Sequence, residues 1–212
     1  KMCEEKFKGI DGILVPGGFG ESGIEGKINV ISYARTKRIP YFGLCYGMQL
    51  LVIEYARNVA GLSGAHTREI NPSSPHLVID VMVEQKALLE KKTYGGSMRL
   101  GAYPCVLKDR TVAKKAYETS GFGKEIKGKL TVSERHRHRY EVNVEYIQKL
   151  ESAGLVFSGV SPSGNLMEIA ELPTSVHPFF IGTQFHPEFL ARPLSPHPLF
   201  TAFIKASLPK KS

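Results

Sequence analysis

The sequence predicts an α/β fold, with an open, mostly parallel sheet and helices on its faces. Three observations predict it. Apolar runs short enough to be buried strands alternate with stretches of helical period, the pattern that winds a parallel sheet. One strand meets its helix through Gly43-Leu44-Cys45-Tyr46-Gly47, a sharp strand-to-helix turn with a cysteine at its apex. The 212 residues, 42% of them hydrophobic, contain no internal repeat and no linker, so residues 1–212 are expected to form one domain around one core.

Taken in order, residues 1–10 read as the end of a helix or a connecting loop. Residues 11–16 (DGILVP) form an apolar strand, and Gly17-Gly18-Phe19-Gly20 is a flexible turn after it. Ile28, Val30, Ile31 and Ala34 then recur at the spacing of a helix packed on the sheet. Just after Pro40, Tyr41, Phe42 and Leu44 make a second strand. From Met48, the positions Leu51, Val52, Tyr55, Ala56 and Val59 follow a helical stripe that Gly61 can end. Residues 64–75 are polar and turn-rich and include the acidic Glu69. Residues 75–83 read as a strand, 84–93 as a charged helical or loop excursion, 95–101 as a turn and 102–107 as a strand. Residues 111–119 suggest a short helix, and the lysine- and glycine-rich 124–129 an exposed stretch. Along residues 133–142, alternation puts His136 and His138 on one face and Arg135, Arg137 and Arg139 on the other. Residues 143–153 form an amphipathic helix with Tyr146, Ile147 and Leu150 as its stripe. Residues 155–160 and 166–172 make a hairpin across Ser161-Pro162-Ser163-Gly164. An apolar strand then runs into His186-Pro187-Glu188, followed by an irregular segment over 193–198 and a closing helix over 198–208.

The chemistry centres on Cys45. Glycines flank it because the turn leaves no room for side chains, and the helix that follows aims its amides and positive dipole end at the sulfur, which favours thiolate. A cysteine nucleophile needs a base, and the base needs a group that fixes its tautomer. His186 and Glu188, two apart on an extended segment, project to the same side and supply both. Exposed amides beside the elbow suit an oxyanion hole, with one N–H from Gly18 and one from Tyr46. Gly18, Gly20 and Gly23 also spell a dinucleotide-binding pattern, but no acidic residue stands about twenty residues on to hold a ribose. Gly26-Lys27 is not a phosphate-binding loop, since Glu21 replaces its first glycine and Ile28 its hydroxyl residue.

Composition excludes other classes. Three cysteines without CxxC spacing fit neither a disulfide framework nor a zinc ribbon and point to a reducing, cytoplasmic setting. No third ligand completes His136 and His138 as a metal site, so no metal is expected. The net charge of +8 is spread over scattered lysines without a basic, aromatic-studded stripe, which argues against nucleic acid as a partner. No apolar run approaches a membrane span, so no membrane partner is expected either.

With these residues in view, the chain resembles class I, triad-type glutamine amidotransferases of flavodoxin-like fold. LVPGGFG (14–20), GMQLLVIEYARNV (47–59), GGSMRLG (95–101), ERHRHRYEVN (134–143) and QFHPEFLARP (184–193) narrow the resemblance to the glutaminase domains of the CTP synthase family. The resemblance implies hydrolysis of L-glutamine to glutamate and ammonia with Cys45, His186 and Glu188 as catalytic residues. It implies glutamine contacts at Gly18, Tyr46, Gly47, Met48, Gln49, Glu69 and Arg139, with Glu69 on the ammonium and Arg139 on the α-carboxylate. It also implies a synthetase domain that uses ATP and Mg to aminate UTP, and a homo-oligomer at full length. No nucleotide site is expected in these residues, and hence no cofactor. The family's usual strand-helix-strand before LVPGGFG is expected to be absent. Two departures stand out: Tyr46 where the family usually has Leu, and Thr67-Arg68-Glu69 where it usually has Ser-Thr-Glu. A catalytically silent module is the alternative, against which the intact Cys45, His186 and Glu188 argue.

Overall fold

The computed structural model describes residues 2–81 and 98–209. Its strands are β1 (Ile13–Val15), β2 (Tyr41–Leu44), β3 (His66–Thr67), β4 (Leu77–Val81), β5 (Arg99–Leu107), β6 (Lys124–Ile126), β7 (Lys129–His138), β8 (Tyr140–Val142), β9 (Val156–Val160), β10 (Met167–Glu171) and β11 (Phe180–Thr183). Its helices are α1 (Met2–Lys6), α2 (Ile24–Lys37), α3 (Tyr46–Asn58), α4 (Val112–Ser120), α5 (Ile147–Ser152) and α6 (Pro198–Ser207). The charged stretch 84–93 and residues 95–97 of GGSMRLG lie outside the described residues.

Eight strands form one open sheet in the order β1-β2-β11-β10-β9-β5-β7-β6, and β3-β4-β8 form a second, smaller one. The α/β class and the flanking helices are as the sequence predicts. In the large sheet, the expected parallel pairing is confined to β1, β2 and β11, and the strands beyond pair antiparallel. The reason is local. β9, β10 and β11 follow one another through connections too short for a crossover helix, and only antiparallel pairing is then open to them.

Alternation along β2 sends side chains to both faces. Tyr41 points into a core shared with α2 and α3, while Phe42 and Leu44 point into a second core beneath α4 and α6. The central helix α3 is buried nearly all round, each of its large aliphatic side chains contributing about 1.5–3 kcal/mol. Thr111 caps α4 by accepting from the Lys114 amide, and Gly121 closes that helix in the left-handed region, φ 66°.

Several expected boundaries shift. Arg99, Leu100 and Gly101 begin β5 instead of lying in a turn, because all three find register partners on β7. The exposed 124–129 stretch is one arm of a hairpin with β7. The helix expected over 143–153 opens as a 3₁₀ turn at Val144–Tyr146, capped by the Asn143 side chain, before α5 begins. Among the described residues no helix is long and apolar enough to cross a membrane.

Candidate active site

The parallel strands β1, β2 and β11 end at one sheet edge, and the segments that follow them meet there. After β2 the chain turns through Cys45 at φ 48°, ψ −96°, a conformation that costs on the order of 1–3 kcal/mol in a non-glycine residue. The turn is held by the Cys45 amide donating to the Thr183 carbonyl at 2.6 Å. Its glycines are required sterically. A Cβ at Gly43 would lie 2.6 Å from the Gly47 carbonyl carbon, and one at Gly47 would lie 2.3 Å from the Val15 oxygen.

After β11, His186 Nδ1 and Glu188 Oε1 are 2.6 Å apart. The pair expected from the sequence is present, on a different backbone. Pro187–Phe189 is a 3₁₀ turn, not an extended segment, and the turn brings the carboxylate back over the ring. Phe189 stacks on the imidazole, centroids 4.7 Å apart and planes within 10°. The His186 amide donates to the Arg135 carbonyl at 2.8 Å. Gly17 separates the two reactive side chains: a Cβ there would stand 2.9 Å from His186 Cε1 and 3.8 Å from Cys45 Cβ. With Nδ1 engaged by Glu188, Nε2 is the remaining ring nitrogen, and it is buried with no hydrogen-bond partner among the described residues.

The helix dipole does not prevail at the resting sulfur. Burial pushes the Cys45 thiol up to about 12, the Glu141 and Glu188 charges adding to it against the Tyr46 amide and the Gln184 carboxamide. The expected resting thiolate is therefore replaced by a buried, protonated thiol, since desolvation within the closed elbow outweighs a helix terminus.

Gln184, unremarked in the sequence, donates to Cys45 Sγ at 3.6 Å. Its Oε1 accepts from Gln49 Nε2 at 3.3 Å, and Gln49 also donates to the Tyr140 carbonyl at 3.0 Å. That carbonyl lies 3.2 Å from His138 Nδ1, and His138 Nε2 lies 2.9 Å from His136 Nδ1. A carbonyl can only accept, which assigns the protons to His138 Nδ1 and His136 Nδ1 and leaves His136 Nε2 bare, 3.6 Å from Glu168 Oε2. Burial holds His136 down to about 2 and His138 to about 3, with the Arg99 charge adding to both. Arg99 lies 2.8 Å from Glu168 and 3.5 Å from Glu141, one cation facing two buried carboxylates. Burial raises the pKa of both, and for Glu141 the neighbouring Glu168 charge adds to the rise. The expected alternation of β7 is what aims His136 and His138 inward, while Arg135 and Arg137 face solvent. Among the described residues no group of His, Cys, Asp and Glu is arranged to hold a metal.

The remaining expected contacts fall around the elbow. Gly18 lies in the loop after β1, where a Cβ would sit 3.4 Å from the Tyr46 ring. Tyr46, Gly47, Met48 and Gln49 form the first turn of α3. The Met48 side chain packs under Gly182 in the core and the Gln49 amide is engaged below the helix, so both face the site by backbone only. Glu69 reaches the glycine loop, its Oε1 accepting from the Gly20 amide at 3.2 Å. The neighbouring Arg68 pairs instead with Asp80. Arg139 stands between β7 and β8 with a buried Nε that has no hydrogen-bond partner among the described residues. A groove of about 1010 Å³ between α4 and α6, lined by residues such as Lys115 and Lys205, touches none of these residues. Its lining holds no cysteine and no histidine.

The family model for class I glutamine amidotransferase matches residues 1–206. The CTP synthase of Caldanaerobacter subterraneus subsp. tengcongensis is 58% identical over 208 residues, 98% of this chain and 36% of that protein. The CTP synthase of Halalkalibacterium halodurans is 54% identical over 206 residues, 97% of this chain and 36% of that protein. The chain thus spans about a third of the length of these curated relatives. Among solved structures, the glutaminase domain of Trypanosoma brucei CTPS with bound acivicin superposes with a TM-score of 0.85 at 38% identity, covering 97% of this chain and 74% of that one. The chain therefore belongs to the class I glutamine amidotransferase family, and within it to the glutaminase domains of CTP synthases.

Proposed function

We propose that the chain performs the glutaminase half-reaction of a CTP synthase, hydrolysing L-glutamine to glutamate and ammonia through a thioester on Cys45. One observation carries the reading: a strained elbow cysteine and a carboxylate-anchored imidazole flank Gly17 at the edge where the parallel strands end. Cys45 loses its proton to His186 Nε2 as the sulfur attacks the side-chain amide carbon of glutamine. The imidazolium then returns that proton to the departing nitrogen, which leaves as ammonia. Water, deprotonated by His186, cleaves the thioester, and the thiol is regenerated. Glu188 holds the imidazole tautomer and stabilises its cationic form.

Both tetrahedral intermediates place their oxyanion on the amides of Gly18 and Tyr46, where each donor is worth about 10²–10³ in rate. The amides of Gly47, Met48 and Gln49 add the helix terminus behind them. The α-ammonium of glutamine meets Glu69, and its α-carboxylate meets the guanidinium fork of Arg139. The buried Arg139 Nε, without a hydrogen-bond partner among the described residues, supports that role. With the resting thiol raised by burial, loss of its proton to His186 accompanies attack on the bound substrate.

The rest of the reaction falls to the part of the protein this chain does not span. A separate synthetase domain, with ATP and Mg, uses the ammonia to aminate UTP to CTP in a cytoplasmic homo-oligomer, and neither nucleic acid nor membrane takes part. The test is a glutamine analogue bearing an electrophile at the amide carbon, with peptide mass spectrometry to find the adduct. Labelling confined to Cys45 and blocked by excess glutamine is expected. Labelling of Cys3 or Cys105, or labelling insensitive to glutamine, would overturn the reading.

A further inference from the structure

The side chain of Tyr46 has a position of its own, apart from its amide. Its hydroxyl donates to the Gly20 carbonyl at 2.7 Å, across 26 residues of sequence. The amide of the same Gly20 donates to Glu69 at 3.2 Å. Gly20 is thus held on both sides, in a left-handed conformation at φ 77° that a side chain would strain. The loop's one large side chain, Phe19, is 87% exposed and anchors nothing. From α2, the Lys27 ammonium lies 5.6 Å from the Tyr46 ring centroid and also donates to the Ser22 carbonyl, closing the arrangement on the far side of the loop. Burial, with the Glu69 charge nearby, raises the pKa of the Tyr46 hydroxyl and keeps it a donor.

We infer that Tyr46 is a positioning residue, whose hydroxyl clamps Gly20 and so holds the Gly17–Gly18 segment where the Gly18 amide meets the oxyanion. The inference rests on the glutaminase reading above. A bond from the nucleophile's own helix to the donor loop sets the distance between the two oxyanion donors, Gly18 and Tyr46. Alignment of that kind acts on the transition state more than on the substrate.

The test compares wild type with Tyr46→Phe, which removes one oxygen, in the chain as it occurs in its full-length protein. Three quantities are measured: kcat and KM for glutamine hydrolysis, the affinity for glutamate γ-semialdehyde, and the rate of Cys45 alkylation by iodoacetamide. The thiol adds across the aldehyde to give a hemithioacetal whose oxygen occupies the oxyanion position, whereas alkylation displaces iodide without using that position. Loss of one neutral hydrogen bond should lower kcat and semialdehyde affinity together by about three- to tenfold. KM and the alkylation rate should stay within about twofold, because both bypass the oxyanion donors. Tyr46→Leu should deepen the loss along the same split. An unchanged kcat in Tyr46→Phe, or a parallel loss of alkylation and kcat, overturns the clamp and leaves the glutaminase reading standing. A wild type that hydrolyses no glutamine overturns both.

Discussion

Replacing Gly17 with alanine is the sharpest perturbation of the site. Gly17 lies outside the left-handed region, so alanine is acceptable to its backbone and the substitution acts through space alone. The added Cβ would stand 2.9 Å from His186 Cε1. Carbon atoms rest comfortably at about 3.5–4.0 Å, so the ring must retreat by roughly half an ångström or more. It is wedged, with Phe189 stacked on one face and Glu188 on Nδ1, so the retreat disturbs the ion pair or carries Nε2 away from the sulfur. A misplacement of about 1 Å at a reacting group can cost on the order of 10²-fold, and a loss of roughly 10–10² in kcat is expected for Gly17→Ala. Stability should change by no more than about 1 kcal/mol, since Gly17 is a half-buried loop residue and no core contact is lost. Steady-state glutamine hydrolysis reads the first quantity and urea denaturation the second. Full activity in a folded Gly17→Ala chain would refute the placement of His186 against this glycine, and with it the base assignment.

Two further outcomes follow from buried titrations. The Cys45 thiol, pushed up to about 12, should react with iodoacetamide about tenfold faster per pH unit from pH 7.5 to 10 in the resting chain, without a plateau; a plateau near pH 8 would show that burial does not control the sulfur. His138 is held at about 3, against 6.5 when unfolded, so its contribution to stability is present above pH 6.5 and is lost as pH falls toward 3. Removing that titration in His138→Asn should therefore flatten the acid limb of stability between pH 6 and 4 by about 1.4 kcal/mol per pH unit; urea midpoints measured at each pH would count against a buried neutral imidazole if the two slopes coincided.

What the sequence determined by itself was local. The elbow glycines, the cysteine between them and the histidine and glutamate two residues apart are contiguous patterns, and sterics and tautomer control dictate those residue types wherever such a turn occurs. The alternation that turns His136 and His138 inward was equally legible, because a strand's period is fixed by its backbone. Only the tertiary structure decided what these groups meet. Gln184 reads as one more residue of an apolar strand end until the packing of β2 against β11 sets its carboxamide on the Cys45 sulfur. The resting charge of that sulfur could not be read from a helix that follows it, since desolvation depends on every segment closing over the site. Met48 and Gln49 follow the nucleophile in sequence, yet the Met48 side chain packs against Gly182 and the Gln49 carboxamide bonds the Tyr140 carbonyl and Gln184, partners that only the packing of α3 supplies. The Tyr46 clamp on Gly20 joins residues 26 apart, and a contact at that separation exists only once β1 and β2 lie side by side.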